Sequence, residues 1–508
     1  MQAIKCRLPI NSSRLVTTAG VIIRREHKEY SSLTIEKLNP LVKEVEYAVR
    51  GPILIRAGEI EKQLKGNHNF PFDRVIRANI GNCHASGNHV HITYIRQFVA
   101  GCTYPEVMKS PDFPSDIKKT QGIITIREDI ANYIQQRDGY PSDPNNIYLC
   151  NGASDGIKTI IKLLMNHNPK KPSGIMIPVP HIPLYSATLS EYGAHQIDYY
   201  LDEDNNWTLN IDELERALNE SKDRSAPCGI VIINPGNPTG QVLSSENIKN
   251  VIRFAHKHQL FILADEVYQE NVYLPGSKFF SFKQALMDLG APYNHMEMGI
   301  EYLIFCFSIS IFVFSYLPAS FHSASKGWHG ECGSRGGYYE LINVDKDVKV
   351  QVNKFISAYL CSTTWGQAVM AAIINPPKEG EPSYELYKQE RLTVVNRLKE
   401  KADLVSRLFN SVEDVRYSAI IGAMYAFPRI EIPKKAIEYA KSKNMAPDAF
   451  YCFRLLEKTG ICVVPGSAFK QRPGTHHLRT TILPPVDQMK DMVERFRTFH
   501  MSFLREWK

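Results

Sequence analysis

Four short apolar runs, each leading into a polar turn and then a helical pattern, constrain this 508-residue chain more than any other feature. Asn146-Ile-Tyr-Leu-Cys150, Gly174-Ile-Met-Ile-Pro178, Gly229-Ile-Val-Ile-Ile233 and Leu260-Phe-Ile-Leu-Ala264 place apolar side chains at successive positions rather than alternate ones. A strand that is apolar on both faces must be covered on both, and the helical stretches between the runs supply the cover. After the first run, Ile157, Ile160, Ile161 and Leu164 recur at the period of an amphipathic helix. The pattern predicts an α/β fold, a mostly parallel sheet flanked by helices. A smaller α+β domain is expected from the charged helical stretch Tyr384–Leu408, the strand-like stretches near Met424–Arg429 and Leu478–Leu483, and a final helix. The segment Ile53–Ile80 is expected to join it. Parallel sheets take ligands at the carboxyl ends of their strands, so the residues just after each run are where chemistry should be sought.

Those residues are specific. Cys150 leads to Gly152-Ala153-Ser154 at a helix start, where backbone amides and a hydroxyl can cradle a phosphate. Ile233 leads into Asn234-Pro-Gly-Asn-Pro-Thr-Gly240, a turn more elaborate than a connector needs. Ala264 leads into Asp265-Glu-Val-Tyr268, an acid and a phenol at the mouth of a buried strand. Ser323-Ala-Ser-Lys326 follows, with Arg335 shortly beyond. Taken singly, Asp265 reads as a capping acid and Lys326 as a solvated lysine. Taken as a set, they suit a cofactor with a phosphate, a ring nitrogen and an aldehyde. A carboxylate keeps a pyridine nitrogen protonated, so that the ring accepts electrons. Hydroxyls, an arginine and a helix N-terminus hold a phosphate dianion, and a lysine forms the Schiff base and then moves a proton. The expected cofactor is pyridoxal 5′-phosphate.

With these residues the chain resembles the class I (fold-type I) aminotransferases, and more closely their alanine aminotransferase branch in its plant-like form. The resemblance rests on Glu46-Tyr-Ala-Val-Arg-Gly-Pro52, Ser110-Pro-Asp-Phe-Pro114, Asn151–Ile157, Asn234–Gly240, Ala264–Tyr268, Gly330–Tyr338, Phe450-Tyr-Cys452 and His477-Leu-Arg-Thr-Thr481. It implies that Lys326 is the Schiff-base lysine and proton-transfer base. It implies further that Asp265 pairs with the ring nitrogen, that Tyr268 and Asn237 contact the ring oxygen, and that Ala153, Ser154, Ser323, Ser325 and Arg335 hold the phosphate. Arg479 would clamp the substrate α-carboxylate, assisted by the Gly81 backbone and Asn237. The implied reaction moves an amino group between L-alanine and 2-oxoglutarate, giving pyruvate and L-glutamate, in a homodimer acting on small amino and keto acids. Glutamate:glyoxylate aminotransferases and a carbon–sulfur lyase share most of these motifs. The implied division is an extension over 1–32, an arm and part of the small domain over 33–117, the large cofactor-binding domain over 118–375, and the rest of the small domain over 376–508.

The chain departs from that pattern in several places. Ile182 stands where the branch carries a tyrosine that stacks on the cofactor, and Cys83 where it carries a proline. Asp116 runs straight into Ile117, without a further helix and a Gly-Ala-Tyr-Ser turn whose tyrosine reaches the neighbouring subunit's phosphate. Residues 299–317 have no counterpart, and Tyr302–Leu317 reads YLIFCFSISIFVFSYL. That run approaches the roughly 17 residues of a membrane span. A span there would separate Lys326 from the strand holding Asp265, so no membrane partner is expected. Its residue types are those a pyrimidine-rich tract encodes, and it reads as translated non-coding sequence beside a splice site, with the missing helix a skipped exon. A catalytically impaired family member is the corresponding alternative.

Residues 1–28 hold six Lys/Arg against one Glu, so five of the seven net positive charges lie there. A basic, acid-poor, hydroxyl-containing start is the pattern of a mitochondrial transit peptide, with a cytoplasmic extension as the alternative. The remainder is close to neutral, which speaks against a nucleic-acid partner. The ten cysteines form no C-x-x-C pair, and neither Cys332 nor His476-His477 has partners at metal-ligand spacing, so no metal is expected.

Overall fold

The computed structural model describes residues 39–43, 51–66, 70–79, 81, 90–118, 126–166, 168–294, 318–344, 346–418 and 420–508. The basic N-terminal segment, Cys83 and the apolar run Tyr302–Leu317 lie outside the described residues.

Seven strands make the central sheet: β1 (Ile147–Cys150), β2 (Ser173–Val179), β3 (His195–Tyr200), β4 (Ala226–Ile233), β5 (Phe261–Asp265), β6 (Pro318–Ser323) and β7 (Gly337–Leu341). Their spatial order is β1-β7-β6-β5-β4-β2-β3. The four pairings from β3 through β6 are parallel, whereas β7 runs antiparallel to both β6 and β1. The reversal has a local cause. The chain from Ser323 to Gly337 contains no crossover helix, so it can only return alongside β6 in the opposite sense.

Burial follows the two-residue period expected of strands covered on both faces. Val231, Ile233 and Leu263 belong to one core, while Ile230, Ile232, Ile262 and Ala264 belong to another. Helix α1 (Ala153–Leu163) buries Gly156, Ile157, Ile160 and Ile161 against the first of these cores. Helix α2 (Leu184–Tyr192) follows β2 and buries Tyr185 and Leu189 in that core.

Beyond the sheet, two long helices, α3 (Tyr384–Asn410) and α4 (Val486–Trp507), pack on each other beside a small antiparallel sheet. That sheet consists of β8 (Tyr425–Ala426), β9 (Val464–Pro465) and β10 (Leu478–Thr481), in the order β8-β10-β9. The strand Ile76–Arg77 pairs in parallel with Ile461–Cys462, which draws the segment before Asn79 into this region. Buried Asp116 accepts hydrogen bonds from Ser383 N and Oγ at the start of α3 (3.3 Å each). Among the described residues no helix is long and apolar enough to cross a membrane.

Two backbone stitches bring the small sheet to the ends of the large one. Gly422 N donates to Gly240 O (2.8 Å) and Ala423 N to Asn271 O (2.8 Å). These tie the approach to β8 onto the loops that follow β4 and β5. The carboxyl ends of the parallel strands therefore face side chains from β8 and β10.

Candidate active site

Asp265 is the last residue of β5 and is buried at 5% exposure. Its Oδ2 accepts a 2.8 Å hydrogen bond from the hydroxyl of fully buried Tyr185, while its Oδ1 is buried with no hydrogen-bond partner. Burial raises the carboxyl to about 6, although the Tyr185 hydroxyl, the Val267 amide and the Lys326 charge all pull it down. A buried acceptor oxygen at a strand end calls for a donor, preferably a cation. A protonated ring nitrogen meets that requirement.

Lys326 lies on the loop between β6 and β7 and is half-buried. Its Nζ donates to the Gly81 carbonyl (3.0 Å) and to Tyr425 Oη (3.4 Å) and stands 5.7 Å from the centre of the Tyr268 ring. Tyr268 Oη and Tyr425 Oη are hydrogen-bonded at 3.0 Å, and Asn237 Nδ2 donates to Tyr268 Oη (3.3 Å). Burial, then the Tyr425 hydroxyl, pushes the Tyr268 phenol well above its ordinary range, so it serves as a neutral hydrogen-bonding group. Gly81 is required for this closeness: a Cβ there would overlap Tyr425 Oη and come within 3.2 Å of Lys326 Nζ.

Arg479, on β10, completes the row. Its Nη1 donates to Asn237 Oδ1 (3.3 Å) and its Nη2 to the Asn79 carbonyl (2.6 Å). The guanidinium lies against the rings of Tyr425 and Phe469, 4.6 Å from each centroid. Buried at 3% exposure and held on two sides by aromatic rings, it is fixed in plane, as bidentate recognition of a carboxylate requires.

A cradle suited to a phosphate forms around Arg335. Its Nη2 donates to the Asn151 carbonyl (2.7 Å) and to Ser154 Oγ (3.3 Å) in the first turn of α1, and its Nη1 to Ser325 Oγ (3.4 Å). Gly152, at φ +79°, keeps the α1 N-terminus open, because a Cβ there would strike the Arg335 guanidinium. Ala153 begins the helix, and the dipole and amides at that end favour a dianion. Ser323 is placed differently from its neighbours. Its hydroxyl donates to the Gly336 carbonyl (3.2 Å) and accepts from Ser325 N (3.1 Å), so here it braces the loop that presents Ser325.

The residues singled out in the sequence therefore gather around one cleft, with Ser323 turned to the backbone. Three further residues belong to it, Asn79 by its backbone carbonyl. Tyr185 supports Asp265, Tyr425 joins the lysine to the arginine, and Asn79 holds Arg479 through its carbonyl. Ile182, just ahead of the Pro183 cap of α2, is half-buried against the core. Cys332 donates its thiol to the Ser325 carbonyl (3.0 Å). Among the described residues, no three His, Cys, Asp or Glu side chains form a metal-binding group.

The aminotransferase class I and II family model matches residues 115–496. The chain is 49% identical over 496 residues to alanine aminotransferase 2 of Xenopus laevis, a match covering 94% of this chain and 88% of that one. It is 40% identical over 511 residues to a probable mitochondrial alanine aminotransferase of Dictyostelium discoideum, covering 95% and 91% respectively. Among solved structures, an aminotransferase from Escherichia coli superposes with a TM-score of 0.69 at 24% identity, covering 93% of this chain and 99% of that one. The chain belongs to the class I and II aminotransferases, and its cofactor is pyridoxal 5′-phosphate. The unpartnered Asp265 Oδ1 and the Gly152 cradle fit the ring nitrogen and the phosphate of that group.

Proposed function

We propose that this aminotransferase exchanges the amino group between L-alanine and 2-oxoglutarate, yielding pyruvate and L-glutamate. The names of the relatives support L-alanine as the amino donor, and the resemblance to the alanine aminotransferase branch supports 2-oxoglutarate as the acceptor. One observation carries the mechanism: Tyr425 touches both Lys326 Nζ, through its hydroxyl, and the Arg479 guanidinium, through its ring. Base and carboxylate clamp are thus separated by a single side chain, the reach of one α-amino acid.

In this reading Arg479 binds the α-carboxylate, with Asn237 and Asn79 fixing the guanidinium plane. The substrate Cα then points toward Lys326. Asp265 would hold the cofactor's ring nitrogen, Tyr268 and Asn237 its ring oxygen, and Ser154, Ser325, Arg335 and the amide end of α1 its phosphate. When bound, the cofactor supplies an electron sink for the pair left on Cα. Lys326 Nζ takes the proton from Cα, guided by the Gly81 carbonyl and the Tyr425 hydroxyl. Buried Tyr425, Tyr268 and Phe469 keep water from the exchange. Because both substrates are α-acids, the one clamp serves both halves of the reaction.

The test is direct. The purified chain, given pyridoxal 5′-phosphate, should gain an absorbance near the visible edge that L-alanine bleaches. A Lys326→Ala variant should gain none. Absorbance independent of Lys326 would overturn the assignment.

A second copy completes the assembly in this reading. Tyr359 and Leu360 and, just beyond them, Trp365 are 53%, 79% and 50% exposed. They flank Thr363, whose amide is bonded to Asn151 beside the phosphate cradle. An apolar face next to the cofactor site suits a homodimer interface. A Leu360→Asp/Trp365→Glu variant should sediment as monomer and bind cofactor more weakly; an unchanged dimer would refute that interface. The basic start of the chain, and the name of the Dictyostelium relative, support mitochondrial delivery. Residues 1–32 fused to a fluorescent protein should carry it to mitochondria.

A further inference from the structure

The two histidines His476 and His477 stand just before the strand that carries Arg479, and the mechanism above uses neither. His477 is buried at 2% exposure, and its surroundings are specific. Its Nε2 faces Glu203 Oε1 at 3.0 Å and its Nδ1 faces Gln471 Oε1 at 2.9 Å. The Gln471 amide has its orientation set by Nε2, which donates to Asp448 (3.0 Å), so its oxygen is the atom turned to the imidazole. Both ring nitrogens therefore face side-chain oxygens, and the ring is held at both ends.

From that ring a continuous set of contacts reaches the substrate clamp. His477 stacks on Phe427 with centroids 4.7 Å apart and planes at 4°. Phe427 meets Phe469 edge to face at 5.9 Å and 84°. Phe469 is one of the two rings against which Arg479 lies, at 4.6 Å. The backbone reinforces the path, since Gly466 N donates to His477 O (2.7 Å) and Val464 is the register partner of Arg479 on β9. The far end is anchored in the other half of the molecule. Glu203 follows β3 of the large sheet, and Arg429 approaches its second oxygen at 3.8 Å.

We propose that Glu203 and His477 are positioning residues for Arg479, tying the carboxylate clamp to the large sheet through the Phe427–Phe469 pair. The proposal rests on Arg479 being that clamp. The Glu203 contact fixes the imidazole, the imidazole fixes Phe427, and the two phenylalanines set where the guanidinium plane lies. Bidentate binding depends on that plane. A tilt weakens the hold on every substrate that presents an α-carboxylate, with little effect on the proton transfer at Lys326.

The experiment compares the cofactor-loaded wild type with Glu203→Gln, His477→Phe, the double variant and Arg479→Ala. The first readout is calorimetric binding of glutarate, a dicarboxylate with no amino or keto group to react. Glu203→Gln removes the charge without changing shape, and His477→Phe keeps a ring on Phe427 while losing both ring nitrogens. Each should weaken glutarate binding and raise KM for both L-alanine and 2-oxoglutarate by on the order of tenfold, with kcat held within about twofold. The double variant should be no weaker than the worse single one, because the two residues act as a unit. Equal falls in kcat for all variants, or additive losses in the double variant, would overturn the proposal. If Arg479→Ala weakens glutarate and neither Glu203→Gln nor His477→Phe does, the clamp stands and the positioning role falls. If Arg479→Ala leaves glutarate binding unchanged, the clamp itself is misassigned and the proposal goes with it. Glu203 is partly exposed, so its glutamine variant keeps the test open even if the histidine variant fails to fold.

Discussion

Replacing Asp265 by Asn should have opposite effects on the cofactor-free and cofactor-loaded protein. Asp265 is buried, its Oδ1 has no partner, and burial lifts its carboxyl from the ordinary 3.8 to about 6. Below pH 3.8 it is protonated in both the folded and the unfolded chain and makes no difference to stability. Between 3.8 and about 6 only the unfolded chain ionises, so folded stability falls as pH rises. Above about 6 both are ionised and the penalty is constant. Each pH unit of that gap is worth about 1.4 kcal/mol, which makes the full penalty about 3 kcal/mol. Asparagine keeps the acceptor for Tyr185 and removes the charge. The cofactor-free Asp265→Asn variant should therefore match wild type near pH 4 and exceed its stability by up to about 3 kcal/mol at pH 8.

In the loaded enzyme the sign reverses. In the proposed reading a protonated ring nitrogen would stabilise the Asp265 carboxylate, whereas asparagine would not hold that proton in place. Turnover by the variant should fall by about a hundredfold or more. Urea unfolding of both cofactor-free proteins across pH 4 to 8 is the assay, with L-alanine turnover measured alongside. Parallel stability curves at every pH would show that Asp265 is not the strained buried acid described here. Full turnover by the Asp265→Asn enzyme would refute its pairing with the ring nitrogen.

Three further substitutions probe the neighbouring contacts. Gly81→Ala puts a methyl group where Tyr425 Oη now lies, and should lower kcat/KM by on the order of a hundredfold with an unchanged circular dichroism spectrum; a smaller loss than threefold would show that the approach can relax. Tyr425→Phe removes hydroxyl contacts to Lys326 and Tyr268 but keeps the ring on Arg479, so kcat should fall by about tenfold with KM little changed. A KM effect of that size instead would place the hydroxyl in substrate binding. Ile182→Tyr offers an aromatic face to the cofactor ring and should tighten cofactor binding by about 1 kcal/mol, or roughly fivefold in a reconstitution titration; weaker binding would mean that Ile182 does not face the ring.

The strand ends were legible because each lies at a local transition in the chain. Asp265 follows a doubly apolar run, and an acid at that point has no structural reason to be buried unless something pairs with it. Ser154, Ser325 and Arg335 sit at turns adjoining β1, β6 and β7, so their convergence follows once the strands lie side by side. Tyr185 was not legible, since a tyrosine in an amphipathic helix is by default a core residue. Only the 2.8 Å bond to Asp265 gives it another role. Tyr425 lies on a strand of two residues, too short for any periodicity to register. It reaches the site because Gly422 and Ala423 are bonded to loops that lie about 180 and about 150 residues earlier in the chain.

The same distinction explains why the antiparallel reversal at β7 and the support behind Arg479 escaped sequence reasoning. Helix-connected strands announce themselves by alternation of pattern, but the loop that carries Lys326 shows no helical or strand periodicity. Its direction is fixed by the absence of a crossover helix. His477 drew attention only as a possible metal ligand, because nothing near it in sequence reveals Glu203, which is 274 positions away. Strand-end logic therefore describes the cofactor half of the cleft, whose parts belong to one sheet. The substrate half is assembled by tertiary contacts between that sheet and β8–β10. Lys326 stands at the junction. Its loop belongs to the large sheet, while the two oxygens that receive its Nζ, from Gly81 and Tyr425, arrive from elsewhere. A substitution that loosens the stitches at Gly422 and Ala423 should consequently disturb Lys326 and Arg479 together, while leaving the contacts of Arg335 with Ser154 and Ser325 intact.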